Sequence, residues 1–422
     1  MTMPNSPIVL KRYEAAREAY AEKGVDTERA LAKLRALSLT LPCWQGDDVK
    51  GSESLTSTDV SVQATGGYPG KARNNGELRL DLAKVLSLIP GNHRVGLHAM
   101  YGDFEGKKVD RDAVEPSHFA RWADWAEERR VGLDFNCTCF AHPKAESGFT
   151  LSHSDSAIRG FWIEHVQRAR TIAAYLGKRQ SSTCLHNLWI PDGSKDIRYD
   201  AVTPRAILEK SLDAIFKTKH PETEMKDFLE SKLFGIASEA YVVGSFEFYL
   251  GYALTRGVPI TLDLGHFHPT ESVADKISSL LLFTRELMLH VSRGVRWDSD
   301  HVPIFDDVLR DLAQRIVRDG FLDRVHVGLD FFDGSINRLG AYIIGARAVL
   351  KAFLSALLEP DLPLRKAENE GDYFLRLALV EEMKALPAGA VWDYHCETQG
   401  VPPGDSWIQD VKRYEHDVLA KR

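Results

Sequence analysis

Short apolar runs alternate with segments of helical period along most of the chain. Residues 12–37, rich in Ala, Glu, Arg and Leu, predict one amphipathic helix. Residues 46–73 show little periodicity and are dense in Gly, Ser, Thr and Asp, which predicts a long loop. A loop of that length in a compact enzyme is a lid, a binding segment or unstructured chain. Beyond it, strands are expected at 95–99, 131–136, 183–191, 259–264, 287–292 and 325–331. Helices are expected at 116–130, 154–176, 204–216, 271–285, 305–318 and 336–358, and the stretch 228–234 is short and ambiguous.

Alternation of this kind predicts an α/β fold with a parallel sheet covered by helices. About eight units in ~250 residues fit a (β/α)8 TIM barrel better than an open sheet. The expected organisation is an N-terminal helical segment (1–40), the barrel (41–358) and a C-terminal helical extension (359–422). That extension carries Trp392, Tyr394 and Trp407 and either wraps its own barrel or packs on a neighbouring subunit.

Composition narrows the class. The chain has 422 residues and a formal net charge of −7, with no block of like charge to mark a nucleic-acid surface. No apolar run approaches the roughly 20 residues that span a bilayer. The strongest candidate, 277–291, is interrupted by Arg285, Glu286 and His290. Met1–Tyr13 lacks the apolar region of a signal peptide. Five cysteines, an odd count, form no disulfide framework in a chain this long. A reducing, cytoplasmic location is expected, with neither nucleic acid nor membrane as partner.

Candidate chemistry gathers at the strand ends, where a parallel barrel keeps its active site. The strand Ile260-Thr-Leu-Asp263 ends in Asp263, and His266 follows. His290 lies in the next strand, with Asp298 and Asp300 in the loop after it. Val325–Asp330 ends in Asp330, and upstream lie Glu230 and Lys232. Carboxylates converging on one mouth stay ionised together only when cations neutralise them. Carboxylates with imidazoles suit Mn²⁺, Mg²⁺ or Co²⁺, and the absence of paired cysteines argues against a zinc finger. Seven ligands exceed what one octahedral ion takes from protein, so two metals are expected. Each residue alone has a plainer reading: Asp263 as a helix cap, His290 as a core histidine, Asp298 and Asp300 as a turn and a cap. His268 and His326 are read as structural. Lys232 either polarises a substrate carbonyl or pairs with Glu230 or Asp263.

Six segments carry a resemblance: Cys43–Val49, Gln63–Arg73, Glu230–Gly235, Leu264–Thr270, Arg296–His301 and Gly328–Asp333. Together and in this order they resemble the L-rhamnose isomerase family, from about residue 10 to the C-terminal helices. The resemblance implies a barrel related in design to that of xylose isomerase, assembled as a homotetramer. It implies Mn²⁺-dependent interconversion of L-rhamnose and L-rhamnulose, the first step of L-rhamnose catabolism, with Co²⁺ or Mg²⁺ as substitutes. It assigns Glu230, Asp263, His290 and Asp330 to the first metal. His266, Asp298 and Asp300 go to the second, with Asp263 or a water nearby. Sugar-binding and methyl-recognising positions fall on Val49, Met100, Tyr101 and Phe332, with Trp44, His98 and Trp189 lining the pocket. Met100 departs from the branched aliphatic residue common there, Cys137 stands where proline is common, and the loop 52–60 differs in length and composition.

The ligand set favours a hydride route between C1 and C2, with O1 and O2 clamped, over a proton route through an enediol. Lys232 would hydrogen-bond O1, and Asp300 or Asp298 would face the water that takes the O2 proton. An endonuclease on this barrel would need a basic rim. An epimerase would need two glutamates straddling C3, of which only Glu230 is evident. A sugar-binding protein without catalysis has no use for two metal sites and Lys232. A related isomerase preferring another aldose stays open.

Overall fold

The computed structural model describes residues 6–53, 64–234 and 239–422. Two helices, α1 (Pro7–Ala21) and α2 (Thr27–Ala36), precede a closed barrel of eight parallel strands. The strands are β1 (Leu39–Pro42), β2 (Arg94–His98), β3 (Gly132–Asn136), β4 (Cys184–Trp189), β5 (Met225–Glu230), β6 (Ile260–Asp263), β7 (Leu287–Val291) and β8 (Val325–Leu329). Neighbours in sequence are neighbours in the sheet, and Leu39 of β1 opposite Val327 of β8 closes the ring. After each strand in turn comes one helix of the outer layer. These are α3 (Asn75–Leu86), α4 (Ala120–Arg129), α5 (Ser156–Arg179), α6 (Val202–Phe216), α7 (Phe246–Arg256), α8 (Val273–Leu280), α9 (Asp307–Arg318) and α10 (Arg338–Leu357). The observed class is the expected α/β barrel with helical extensions at both ends.

The differences have local causes. The expected helix over 12–37 is two helices, because Gly24 turns left-handed (φ +79°) and the Asp26 side chain then caps α2 by accepting from Arg29 N at 3.0 Å. The strand β1 and the helix α3 fell outside the expected pattern. The strand is four residues long and ends in proline, too short for a period, and α3 starts behind an Asn74 cap that accepts from Glu77 N at 3.0 Å. The helix α7 is aromatic-rich and carries Gly251, which weakens its helical signature. In place of the ambiguous 228–234, β5 ends at Glu230, so Lys232 stands beyond the strand. The segment 54–63, in the middle of the expected 46–73 loop, and Gly235 lie outside the described residues.

One expectation is corrected by α10, which is long and apolar enough to cross a membrane by length and composition. It is a core helix: 83% of its apolar window is buried inside the fold, where it packs against α2, α3 and α9. A residue-by-residue apolar run missed it because Arg338, Arg347 and Lys351 punctuate it.

The tail forms α11 (Asp361–Asn369), α12 (Tyr373–Met383), α13 (Ala388–Thr398) and α14 (Trp407–Asp417). Tyr394 of α13 stacks on Tyr13 of α1 with ring centroids 3.7 Å apart. Arg422 pairs with Asp81 of α3 at 2.6 Å. So α13 and the chain end wrap their own barrel, whereas α12 contains no buried residue. A two-residue ribbon pairs Gly193–Ser194, after β4, with Tyr241–Val242, after β5.

Candidate metal centre and sugar cavity

The C-terminal mouth of the barrel opens into a cavity of about 880 Å³. Glu230 closes β5, Asp263 closes β6, His290 lies inside β7 and Asp330 follows β8 directly. Four successive strands therefore deliver one candidate ligand each. Ligand atoms of Glu230, Asp263, His290 and Asp330 all lie within 4.8 Å of one another. Asp263, His266 and Asp298 form a second such group, so Asp263 belongs to both. Asp300 falls in neither group but lines the same cavity, on a left-handed backbone (φ +42°) that a non-glycine residue holds only under strain.

His290 Nδ1 lies 3.1 Å from Glu230 Oε2 and 3.2 Å from Asp330 Oδ2. His266 stands 3.2 Å from Glu230 through Nδ1 and 3.1 Å from Asp298 through Nε2. Yet His266 Nδ1, His290 Nδ1, Asp263 Oδ2 and Asp298 Oδ1 are buried without a hydrogen-bond partner. The two Nδ1 atoms thus stand close to carboxylates without hydrogen-bonding to them, and the four atoms together leave the cage unsatisfied. Buried polar atoms seldom stay unsatisfied, and a bound ion is one recognised reason. The donor set is oxygen and imidazole nitrogen with no thiolate, which fits a hard or borderline divalent cation.

Gly265 makes the second group possible. A Cβ there would stand 2.6 Å from Asp298 Oδ1 and 3.2 Å from Asp263 Oδ1, and its amide donates to Asp263 Oδ1 at 2.6 Å. Below Glu230, Asn187 of β4 donates to its Oε2 at 2.5 Å and accepts from Thr261 Oγ1 at 2.7 Å.

Crowding sets the electrostatics. Burial and the neighbouring carboxylates push the Asp300 carboxyl well above the usual range. Burial likewise raises Asp263 and Asp330, against the pull of the imidazoles. For Glu230 the balance reverses: burial opposes ionisation, but His290 and His266 outweigh it and hold the carboxylate low. Both imidazoles rise despite burial, because carboxylates surround them. So many carboxyls and imidazoles in one buried space favour added positive charge, which protons or metal cations can supply.

Lys232 forms no ion pair among the described residues. Its Nζ lies over the Trp189 ring, 5.1 Å from the centroid, in the cavity wall. Burial lowers its pKa, with Asp298 and Asp300 pulling the other way.

Much of the remaining wall is aromatic. Trp44 stacks on His98 at 4.2 Å, Phe332 meets Trp44 edge-on at 5.5 Å, and Phe140 sits 5.3 Å from Trp189. The indole N–H groups of Trp44 and Trp189 are buried and unpartnered. Arg111, fully buried, fixes the segment that carries Phe140. It donates to the carbonyls of Thr138 at 2.5 Å and Phe140 at 2.7 Å and forms a two-bonded pair with Glu53 at 2.8 and 2.9 Å.

Of the expected site residues, Trp44, His98, Trp189, Glu230, Lys232, His266, His290, Asp298, Asp300, Asp330 and Phe332 line the cavity, with Asp263 buried beneath it. Val49, Met100 and Tyr101 are not brought to it. They are buried in the layer around Asp47, to which Tyr101 donates at 2.7 Å. Sequence reasoning missed Asn187, Phe140 and Arg111. A polar residue in the apolar run of β4 was the one signal for Asn187. His326 and His268 are structural, pairing with Glu286 and Thr270.

Fold and mouth together define a (β/α)8-barrel enzyme with a carboxylate–imidazole cage. Its relatives give the particular family. The profile of the family described as L-rhamnose isomerase (RhaA) matches residues 8–422. The chain is 54% identical over 421 residues to an L-rhamnose isomerase from Bacteroides thetaiotaomicron, covering 100% of both chains. It is 53% identical over 413 residues to one from Rhodopirellula baltica, covering 98% of this chain and 96% of the relative. It is 50% identical to one from Escherichia coli O9:H4 over 97% of this chain and 98% of the relative. The chain belongs to the L-rhamnose isomerase family and is an aldose–ketose isomerase.

Proposed function

We propose that the chain interconverts L-rhamnose and L-rhamnulose by moving hydrogen between C2 and C1, with two divalent cations, Mn²⁺ foremost, at the shared cage. The observation that carries this reading is the set of four unpartnered ligand atoms at the base of the cavity that Lys232, without an ion pair, also lines. Glu230, Asp263, His290 and Asp330 would hold one ion, and His266, Asp298 and the shared Asp263 the other. Bound there, such ions supply Lewis acidity to two adjacent sugar oxygens.

The protein's own groups do the rest. Lys232 donates to O1, where negative charge develops as the aldehyde is reduced. Asp300 accepts the O2 proton, with Asp298 beside it. As hydrogen moves with its electron pair from C2 to C1, C2 becomes the ketone and the proton taken from O2 is returned to O1, so that none is gained or lost. Trp44 and Trp189 offer indole N–H donors to sugar hydroxyls, and Phe140 and Phe332 exclude water.

Turnover of L-rhamnose deuterated at C2 tests the route. Label retained at C1 of the ketose supports direct transfer, and label washed into solvent refutes it. Ketose formation before and after EDTA, and after Mn²⁺, Co²⁺ or Mg²⁺ is restored, tests the metal requirement and its identity.

A preference for another aldose sharing the C2 and C3 configuration is favoured by one observation: Val49, Met100 and Tyr101 are absent from the cavity wall. Kinetics on an aldose panel separate the two. Epimerase chemistry finds one glutamate, Glu230, among the described cavity residues. The homotetramer is supported by α12, whose Tyr373, Phe374 and Leu377 are exposed. The cytoplasmic location is supported by five free cysteines.

A further inference from the structure

Cys137 and Cys139 place their Sγ atoms 3.5 Å apart in the wall of the cavity. No other cysteine pair among the described residues is in hydrogen-bonding contact. In an extended strand, residues two apart share a face but stand about 6.6 Å from each other. Here Thr138 takes a left-handed conformation (φ +57°), which folds the chain and brings the sulfurs together. The fold is held from outside: Arg111 donates to the carbonyl of Thr138, and His165 sits between the carbonyls of Arg111 and Cys137, with its single N–H donating to one of them. The sulfurs are therefore presented as a fixed pair. The metal cage across the cavity offers oxygen and nitrogen only.

We propose that Cys137 and Cys139 form a dithiol site that chelates one thiophilic centre of the trivalent-arsenical class from within the cavity. Soft sulfur donors select such centres, as oxygen donors select hard cations. With an arylarsenoxide, both S–H bonds and the As–O bonding break and two As–S bonds form. The oxygen leaves as water carrying both thiol protons. Arsenic stays trivalent, so no oxidant is needed. The aryl group is then left on the wall that bears Phe140, in space a sugar would need. Burial, with each thiol beside the other, raises the Cys139 pKa and keeps it protonated. Alkylation by iodoacetamide, which needs thiolate, is accordingly slow at Cys139.

The test is incubation of the full chain with phenylarsine oxide, then gel filtration in excess 2-mercaptoethanol. The expected result is one arsenic retained per chain and a fall in titratable thiols from the five of the sequence to three. Differential labelling should identify Cys137 and Cys139 as the protected pair. 2,3-Dimercaptopropanol, a competing dithiol, should strip the arsenic and restore all five. Isomerase activity should fall and return in step. Cys139→Ser should lose retention in the monothiol, whereas Cys43→Ser should keep it. Absence of retained arsenic in the unmodified chain, protection of other cysteines, or equal retention by Cys139→Ser overturns the proposal. The thiol count needs neither a variant nor catalysis, so it reads independently of the assigned activity.

Discussion

Asn187 is wedged between Thr261 and Glu230, accepting from the first at 2.7 Å and donating to the second at 2.5 Å. Two neighbouring strands thereby fix the rotation of a carboxylate on a third. Groups that orient metal ligands matter nearly as much as the ligands, and their loss weakens metal affinity by about 10–100-fold. Asn187→Ala should show that loss in Mn²⁺ titrations of activity, with kcat partly recovered at saturating metal. Unchanged affinity would show that Glu230 needs no such support.

Lys232 is a buried cation without an ion pair, so its removal separates chemistry from stability. Lys232→Met should lower kcat by about 10²–10³-fold, the scale seen when a donor to a developing oxyanion is removed. Thermal stability should hold or rise, since no partner is left unpaired. A variant that keeps its rate, or one that unfolds, contradicts the role assigned to Lys232.

Gly265→Ala addresses the second ion position alone. The added methyl would collide with Asp298 and press on Asp263. We expect the stoichiometry of tightly held Mn²⁺, measured by equilibrium dialysis, to fall from two to one per chain. Retention of two would mean that Asp298 can withdraw without losing its ligand function.

Acid should compete with metal. His266 and His290 have raised pKa values because carboxylates surround them, so loading the cage displaces protons. Lowering the pH through their folded-state range therefore weakens Mn²⁺ binding, by about tenfold per pH unit for each proton released. Calorimetry in buffers of different ionisation enthalpy should register proton release. A heat independent of buffer would disprove the coupling.

Arg111 and Glu53 form a buried pair with both guanidinium edges engaged. Removing one member of such a pair costs about 3–5 kcal/mol. Arg111→Met should lose that in urea unfolding. Arg111→Lys should rescue little, because one ammonium cannot reach the same carbonyls and carboxylate. A loss below about 1 kcal/mol would mean that the segment holds itself.

Most of the barrel was legible because apolar strands and amphipathic helices have distinct periods. The exceptions were elements too short or too mixed to show one, such as Leu39–Pro42 and Phe246–Arg256. The clustering of carboxylates and imidazoles at strand ends was legible because these residue types are costly to bury together. The sharing of Asp263 and the displacement of Asp300 from the second group were not, because both depend on a turn at Gly265 and a strained backbone. Val49, Met100 and Tyr101 were expected at the cavity from local resemblance, which carries no information on which face of the Cys43–Gly46 turn or of residues 99–101 meets it. Arg111 was invisible for a related reason: its partners lie 27 to 58 positions away in the chain.

The ribbon between Gly193–Ser194 and Tyr241–Val242 has a consequence for redesign. It joins the segments leaving β4 and β5, and is extended by Val243 N donating to Asp192 O at 2.9 Å and Lys232 N to Gly244 O at 3.1 Å. Trp189 and Lys232 thus belong to one braced panel, with the Lys232 ammonium over the Trp189 ring. Among the described residues, the panel formed by Trp44, Phe140 and Phe332 has no strand pairing of this kind. Libraries aimed at new sugars should vary those three aromatics and leave the braced panel fixed.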